Sequence, residues 1–245
     1  MSVLDLPQVR CTFSRTLPKH QLLIVAGGRK PDKNWLKQVA PKFSVWAVDS
    51  GVDSCRNSGV QPERLIGDGD SATEAGWCWA TKLAIPIEVH PPEKDLTDLQ
   101  LALQRAKQLN SGYAVLLTGG WGGRFDHAFS NVYSLQGFKE QGLCTLGIAD
   151  EQEVLLLLSG GETVSLEFAE NPSVISLLPL ASICKDVSIA GVHWPLTEVL
   201  LKNSLPYAIS NRSQARDDTE NLVEVSLGEG ALGVYLNWER KEGKY

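Results

Sequence analysis

Residues 113–127 read Tyr113-Ala-Val-Leu-Leu-Thr-Gly-Gly-Trp-Gly-Gly-Arg-Phe-Asp-His127. The apolar run Tyr113–Leu117 has no polar alternation, so it reads as a strand buried on both faces, and the glycines after it mark a loop. A helix over about Ala128–Phe138 follows, with Phe129, Val132, Leu135 and Phe138 as its expected buried stripe. Strand, glycine turn and helix make up the grammar of a βαβ unit. The same grammar recurs at Gln21–Ala26 before Gly27-Gly28, Ser44–Val48 before Asp49-Ser50-Gly51, and Arg64–Ile66 before Gly67-Asp68. Ile85–His90 before Pro91-Pro92 and Cys144–Ile148 before Asp150 complete the set. An α/β N-terminal domain is therefore expected, with a mainly parallel sheet flanked by helices. A further helix over about Thr97–Leu109 would bury Leu99, Leu103, Ala106 and Leu109 and stop at Ser111-Gly112.

Past Asp150 the grammar changes. Val154–Leu158, Thr163–Phe168, Val174–Leu178, Val187–Ile189, Tyr207–Ile209, Leu222–Ser226 and Ala231–Leu236 are short β-rich runs between turn residues. Only Leu196–Leu201 suggests a short helix. Serial short strands predict an all-β C-terminal sandwich, so the expected domains are residues 1–152 and 153–245.

The 245 residues are 43% hydrophobic, enough for a real core, and carry a formal net charge of −6 with no basic block. Nucleic acid and anionic membranes are therefore poor candidates as partners, and a small ligand is favoured. The five cysteines are scattered without a Cys-x-x-Cys pair, which reads as reduced thiols in a cytoplasmic protein. Neither a signal peptide nor a membrane span is expected: charges interrupt residues 1–20, and the apolar runs are short.

Ligands of an open parallel sheet bind beyond the carboxyl ends of its strands, and here those positions are rich in aspartate. Asp49, Asp68, Asp70, Asp95, Asp98 and Asp126 all follow strand-like runs or flank the loops after them. Carboxylates meeting along one edge would repel each other unless a cation intervened, and Mg²⁺ combines a few carboxylates with substrate phosphates. Gly67-Asp-Gly-Asp-Ser71 can point two carboxylates into one coordination sphere, although a plain turn would use the same residues. Asp95 and Asp98 have a second reading, as the N-cap and N3 partner of the next helix. Lys94 opposes that helix's dipole unless an anion lies nearby. Arg124 beside four glycines suits phosphate oxygens, Asp126 could cap or coordinate, and His127 is a weaker candidate base. A Walker A loop is absent, as is the dinucleotide fingerprint after the first strand. Ser210-Asn211 and Val192-His193-Trp194 offer hydrogen bonds and an aromatic face to a flat heteroaromatic ligand.

Taken in order, Asp49-Ser-Gly, Gly67 to Ser71, Lys94-Asp-Leu-Thr-Asp98, Gly119 to His127 with Asn131, Ser176-Leu-Leu-Pro179, Gly191-Val-His-Trp-Pro-Leu196 and Ser210-Asn211 resemble the thiamine pyrophosphokinase (thiamine diphosphokinase) family. The resemblance implies an N-terminal α/β domain that binds ATP, a C-terminal β-sandwich that helps bind thiamine, and a homodimer with active sites between subunits. It implies diphosphate transfer from ATP to thiamine with Mg²⁺ as cofactor. Asp49, Asp68, Asp70 and Asp95 would organise metal and diphosphate, with Asp68, Asp70 and Asp95 the catalytic set. Lys94, Thr97, Asp98, Arg124, Asp126 and His127 would lie on the ATP side, and Ser210, Asn211 and Asn131 on the substrate side. Two residues depart from the family pattern: Gly69 stands where a bulkier residue is common, and Ser210-Asn211 runs into Arg212-Ser-Gln-Ala without a nearby aromatic. A diphosphokinase or kinase acting on another small alcohol, a non-catalytic nucleotide or thiamine sensor, and a structural β-sandwich module are the alternatives.

Overall fold

The computed structural model describes residues 2–90, 95–109, 112–214 and 222–238. The chain divides into two compact units, one of residues 18–150 and the other of residues 1–17 with 151–245. In chain order the elements are β1 (Val3–Asp5), β2 (Val9–Phe13), β3 (His20–Val25), α1 (Lys33–Val39), β4 (Ser44–Val48), α2 (Gly51–Ser58), β5 (Arg64–Ile66), α3 (Glu74–Thr81) and β6 (Ile87–Glu88). They continue as α4 (Asp98–Gln108), β7 (Tyr113–Thr118), α5 (Phe125–Glu140), β8 (Cys144–Ala149), β9 (Glu153–Ser159), β10 (Glu162–Phe168), β11 (Val174–Pro179), β12 (Ile183–Ala190), β13 (Leu196–Lys202), β14 (Leu222–Leu227) and β15 (Ala231–Asn237).

In the unit of residues 18–150 the strands run in the order β8-β7-β3-β4-β5-β6, and every pair is parallel. Leu22–Val25 of β3 and Ala114–Leu117 of β7 are fully buried, as strands covered on both faces must be. The chain leaves β3 toward β4 on one side and returns to β7 on the other. The crevice between the carboxyl ends of β3 and β7 is thus the switch point where such sheets bind ligands.

The other unit is antiparallel throughout, with one ladder β1-β2-β10-β14-β12-β13 and a second run β11-β15-β9. Four sequence expectations are corrected here. The α/β unit starts at residue 18, not residue 1, because Val9, Cys11 and Phe13 of β2 alternate inward and pair with Phe168, Leu166 and Val164 of β10. Leu196–Leu201 is strand, not helix: Leu196, Val199 and Leu201 pair with Ile189, Val187 and Cys184 of β12, a ladder that a single short helical turn would lack. Tyr207–Ile209 forms no strand, though the Leu177 N–H donates to the Ala208 carbonyl at 2.7 Å. Along α5 Phe129 is 53% exposed and Val132 and Phe138 are half-buried, so of the expected apolar stripe only Leu135 is buried. Among the described residues no helix is long and apolar enough to cross a membrane.

Candidate active site

A cleft of about 670 Å³ opens at the β3/β7 crevice of the α/β unit. Its floor is two glycine loops held edge to edge. Ala26 N–H donates to Thr118 O and Gly28 N–H to Gly119 O, each at 2.8 Å, and Arg29 N–H reaches Trp121 O. A side chain cannot fit between them: a Cβ on Gly119, which sits at φ +68°, would lie 2.2 Å from the Ala26 carbonyl. Asn131 Nδ2 donates to Gly120 O at 3.0 Å, so this expected substrate contact shapes the loop. Arg29 is clamped by Nε and Nη2 to one oxygen of the fully buried Asp150, at 2.9 and 2.6 Å. The sequence reading passed over both members of this pair, although an Arg directly after Gly27-Gly28 is a visible signal.

Asp49, Asp70, Asp95 and Asp98 line the cleft together with Arg124, His127 and Asn131. Thr97, not Asp95, caps α4: its hydroxyl accepts from Gln100 N–H at 3.2 Å, and Gln100 Oε1 accepts from Thr97 N–H at 3.0 Å. The capping explanation for Asp95 and Asp98 is thereby overturned. Thr97 lies two residues closer to the helix than Asp95, in an extended conformation, so its short hydroxyl reaches the N3 amide, and Asp98 becomes the first helical residue. Thr97 itself spends its hydroxyl on this cap.

Asp70 stands against Asp68. A side-chain hydrogen bond with Asp68, then its charge, raises the Asp70 carboxyl above the usual range, and Asp98 adds to the rise. The Asp70 N–H also donates to Asp68 Oδ1 at 3.1 Å. Gly69 between them has φ +79°, and a Cβ there would meet the Trp77 ring at 2.9 Å, which accounts for the small residue at this point of the chain. On the opposite rim Arg124 forks onto Asp126, Nε to Oδ1 at 3.1 Å and Nη2 to Oδ2 at 2.5 Å. That bond holds the Asp126 carboxyl below its usual value. Asp126 lies in the first turn of α5, where its charge suits the dipole, and accepts from His127 N–H at 3.0 Å. His127 lines the cleft beside it. Lys94 falls outside the described residues.

Among the described residues no three His, Cys, Asp or Glu side chains form a ready-made metal cage.

The antiparallel unit has its own pocket of about 190 Å³, walled by Ile175, Leu177, Ile189, Trp194, Tyr207 and Ile209. Trp194 is 55% exposed, with the His193 ring edge-on at 4.4 Å and the Arg212 guanidinium 5.6 Å from its centroid. Asn211 holds it there: Oδ1 accepts from Trp194 N–H at 3.1 Å and Nδ2 donates to Trp194 O at 2.7 Å. The Asn211 amide thus orients the aromatic wall. Ser210 adopts φ +60° beside it, its N–H bonded to Ser176 Oγ at 3.0 Å. Tyr207 joins this wall without having been singled out from the sequence.

A model of the thiamin pyrophosphokinase catalytic domain matches residues 37–145. Over 193 residues the chain is 31% identical to the thiamine pyrophosphokinase of Bacillus subtilis (strain 168), covering 77% of this chain and 87% of that relative. The chain belongs to the thiamine pyrophosphokinase family. Thiamin pyrophosphokinase 1 of Caenorhabditis elegans is 25% identical over 173 residues, 67% of this chain and 69% of the relative. The crystal structure of the Bacillus subtilis thiamine pyrophosphokinase superposes with a TM-score of 0.77 at 24% identity, over 90% of this chain and 100% of that one. The thiamin pyrophosphokinase structure from Candida albicans gives 0.71 at 15% identity, over 90% and 89%. At such identities the fold is what is shared. Within the family, the catalytic-domain match covers the cleft from Asp49 to Asn131.

Proposed function

We propose that the protein is a thiamine diphosphokinase, transferring the diphosphate of ATP to the hydroxyl of thiamine to give thiamine diphosphate and AMP. The observation that carries this reading is the Thr97–Gln100 capping box, which leaves Asp95 and Asp98 to the cleft with Asp49 and Asp70, opposite a glycine loop and Arg124. Four aspartates around one cleft with a glycine loop and an arginine suit metal-assisted phosphorus chemistry better than simple nucleotide binding.

In this reading the backbone of Gly119–Gly123 and the Arg124 guanidinium hold the phosphates, with Arg124 exchanging Asp126 for phosphate oxygens. Thr97, Asp98 and His127 border the nucleotide, and Asp126 orients Arg124. Asp70 and Asp95, supported by Asp49 and Asp68, would hold Mg²⁺, which when bound neutralises charge on the phosphate oxygens. The hydroxyethyl oxygen of thiamine attacks the β-phosphorus; the new O–P bond forms as the bond from the β-phosphorus to the bridging oxygen breaks, and AMP departs with that oxygen. The alcohol proton passes to a cleft carboxylate. The apolar pocket with Trp194 and Tyr207 is proposed to take the thiamine rings, Ser210 to contact them and Asn211 to keep Trp194 in position.

A homodimer is the proposed assembly, supported by an exposed aromatic row on α5: Phe125, Phe129 and Tyr133, with successive centroids 5.9 and 4.7 Å apart. The cytoplasm is the proposed compartment, supported by five free thiols. Purified protein with ATP, Mg²⁺ and thiamine should yield AMP and thiamine diphosphate in equal amounts by chromatography. ADP with thiamine monophosphate, or no product despite thiamine binding, would overturn the reading.

A further inference from the structure

Asp53, on the first turn of α2, is 4% exposed and lies away from the cleft lining. A buried carboxylate is costly unless its oxygens are bonded, and both of its oxygens are directed at one residue of another segment. Oδ2 accepts from Thr73 N–H at 2.9 Å, and Oδ1 accepts from the Thr73 hydroxyl. Thr73 is at the same time the N-cap of α3, its Oγ1 accepting from Gly76 N–H at 3.1 Å. Fixing α3 fixes Trp77, whose ring packs against the Cα side of Gly69, between Asp68 and Asp70. Asp53 itself follows the Asp49-Ser50 turn, and its backbone N–H donates to Ser50 O at 3.0 Å.

The two acidic turns beyond β4 and β5 are therefore tied together behind the cleft, one end by the Asp53 backbone and the other by its side chain. We propose that Asp53 is a positioning residue, holding through Thr73 and Trp77 the loop that presents Asp70 and Ser71 to the cleft. This rests on the reading of that cleft as a metal–nucleotide site. It touches neither substrate nor metal, and acts by setting the distance of the Asp70 turn from the Asp49 turn.

The test uses the full-length chain with Asp53→Ala, Asp53→Asn and Thr73→Val. The readouts are Mn²⁺ binding with a non-hydrolysable ATP analogue, followed by electron paramagnetic resonance, the Mg²⁺ concentration for half-maximal turnover, and the KM for thiamine. Groups that orient metal ligands typically change metal affinity about 10- to 100-fold when removed. Asp53→Ala should weaken Mn²⁺ binding and raise the Mg²⁺ requirement by about tenfold or more, with the thiamine KM unchanged. Asp53→Asn, which keeps an oxygen for the Thr73 amide, should recover most of the loss. A folded Asp53→Ala whose Mn²⁺ affinity stays within about twofold of the parent would overturn the proposal. If Asp53→Ala does not fold, Thr73→Val decides by the same criterion. A parent protein that binds Mn²⁺–nucleotide but makes no thiamine diphosphate would sink the functional reading alone, since the Mn²⁺ comparison still stands. A parent that binds no Mn²⁺–nucleotide would sink both.

Discussion

Replacing Arg29 by Met should cost the α/β unit about 3 kcal/mol. The side chain is 29% exposed, while the carboxylate it holds, Asp150 at the end of β8, has no exposed surface. Both guanidinium bonds, at 2.9 and 2.6 Å, converge on one Asp150 oxygen. Methionine preserves much of the aliphatic bulk but removes the charge, leaving a buried carboxylate without this partner. Breaking such a pair from one side typically costs about 3–5 kcal/mol. Water reaches the Arg29 side of the bond, so the lower end applies; the two bonds are not added, because they share an acceptor. About 3 kcal/mol is roughly a hundredfold in the folding equilibrium and, for a protein of this length, about 6–12 °C in Tm. Urea unfolding followed by far-ultraviolet circular dichroism, with calorimetry beside it, measures the loss. If the two units melt separately, the loss should fall on the transition of residues 18–150, which contains both partners. A change below about 1 kcal/mol, the level of an exposed ion pair, would refute the claim that this clamp is a buried, interdependent pair.

Gly119→Ala should abolish nucleotide binding, measured by calorimetry, because the new methyl group would meet the Ala26 carbonyl and force the two glycine loops apart; retained affinity would contradict the edge-to-edge floor. In a carbon-13 titration Asp126 should stay ionised to a pH below the usual carboxylate range, and Arg124→Gln should move its midpoint upward, since the Arg124 bond is the chief cause of the depression. The sign follows for stability: a depressed carboxyl adds stability above its unfolded pKa and loses it as pH falls through the folded value, here a small effect because both side chains are exposed. With a thiol reagent at pH 8, exposed Cys78 should label first, whereas Cys11 and Cys55, whose thiols burial pushes up (Cys55 to about 12), should resist until the protein unfolds.

Much of the fold was readable without coordinates, because the signals concerned are local. Continuous apolar runs such as Leu22–Val25 and Ala114–Leu117 call for burial on both faces, and their alternation with helical stretches is what points to a parallel sheet with covering helices. Aspartates and glycines just after those runs must then lie at the sheet's carboxyl edge, so the candidate site was legible as a set of residues.

What the sequence could not decide depends on competition between groups distant along the chain. Residues 9–13 carry a clear two-residue alternation, yet their partner β10 begins roughly 150 residues later, and only that pairing assigns the first 17 residues to the antiparallel unit. Asp95, Thr97 and Asp98 are all capable caps; backbone geometry selected Thr97 and left the acids to the cleft. Asn211 and Asn131 read equally well as ligands for substrate, but the structure turns one onto the Trp194 backbone and the other onto the Gly120 carbonyl. Asp53 drew no notice at all, since nothing local marks it, and its partner Thr73 is twenty residues away across a strand. Residue type and periodicity determine which elements form and which chemistry is available; only the tertiary structure, by bringing donors and acceptors into competition, decides which group each carboxylate and amide serves.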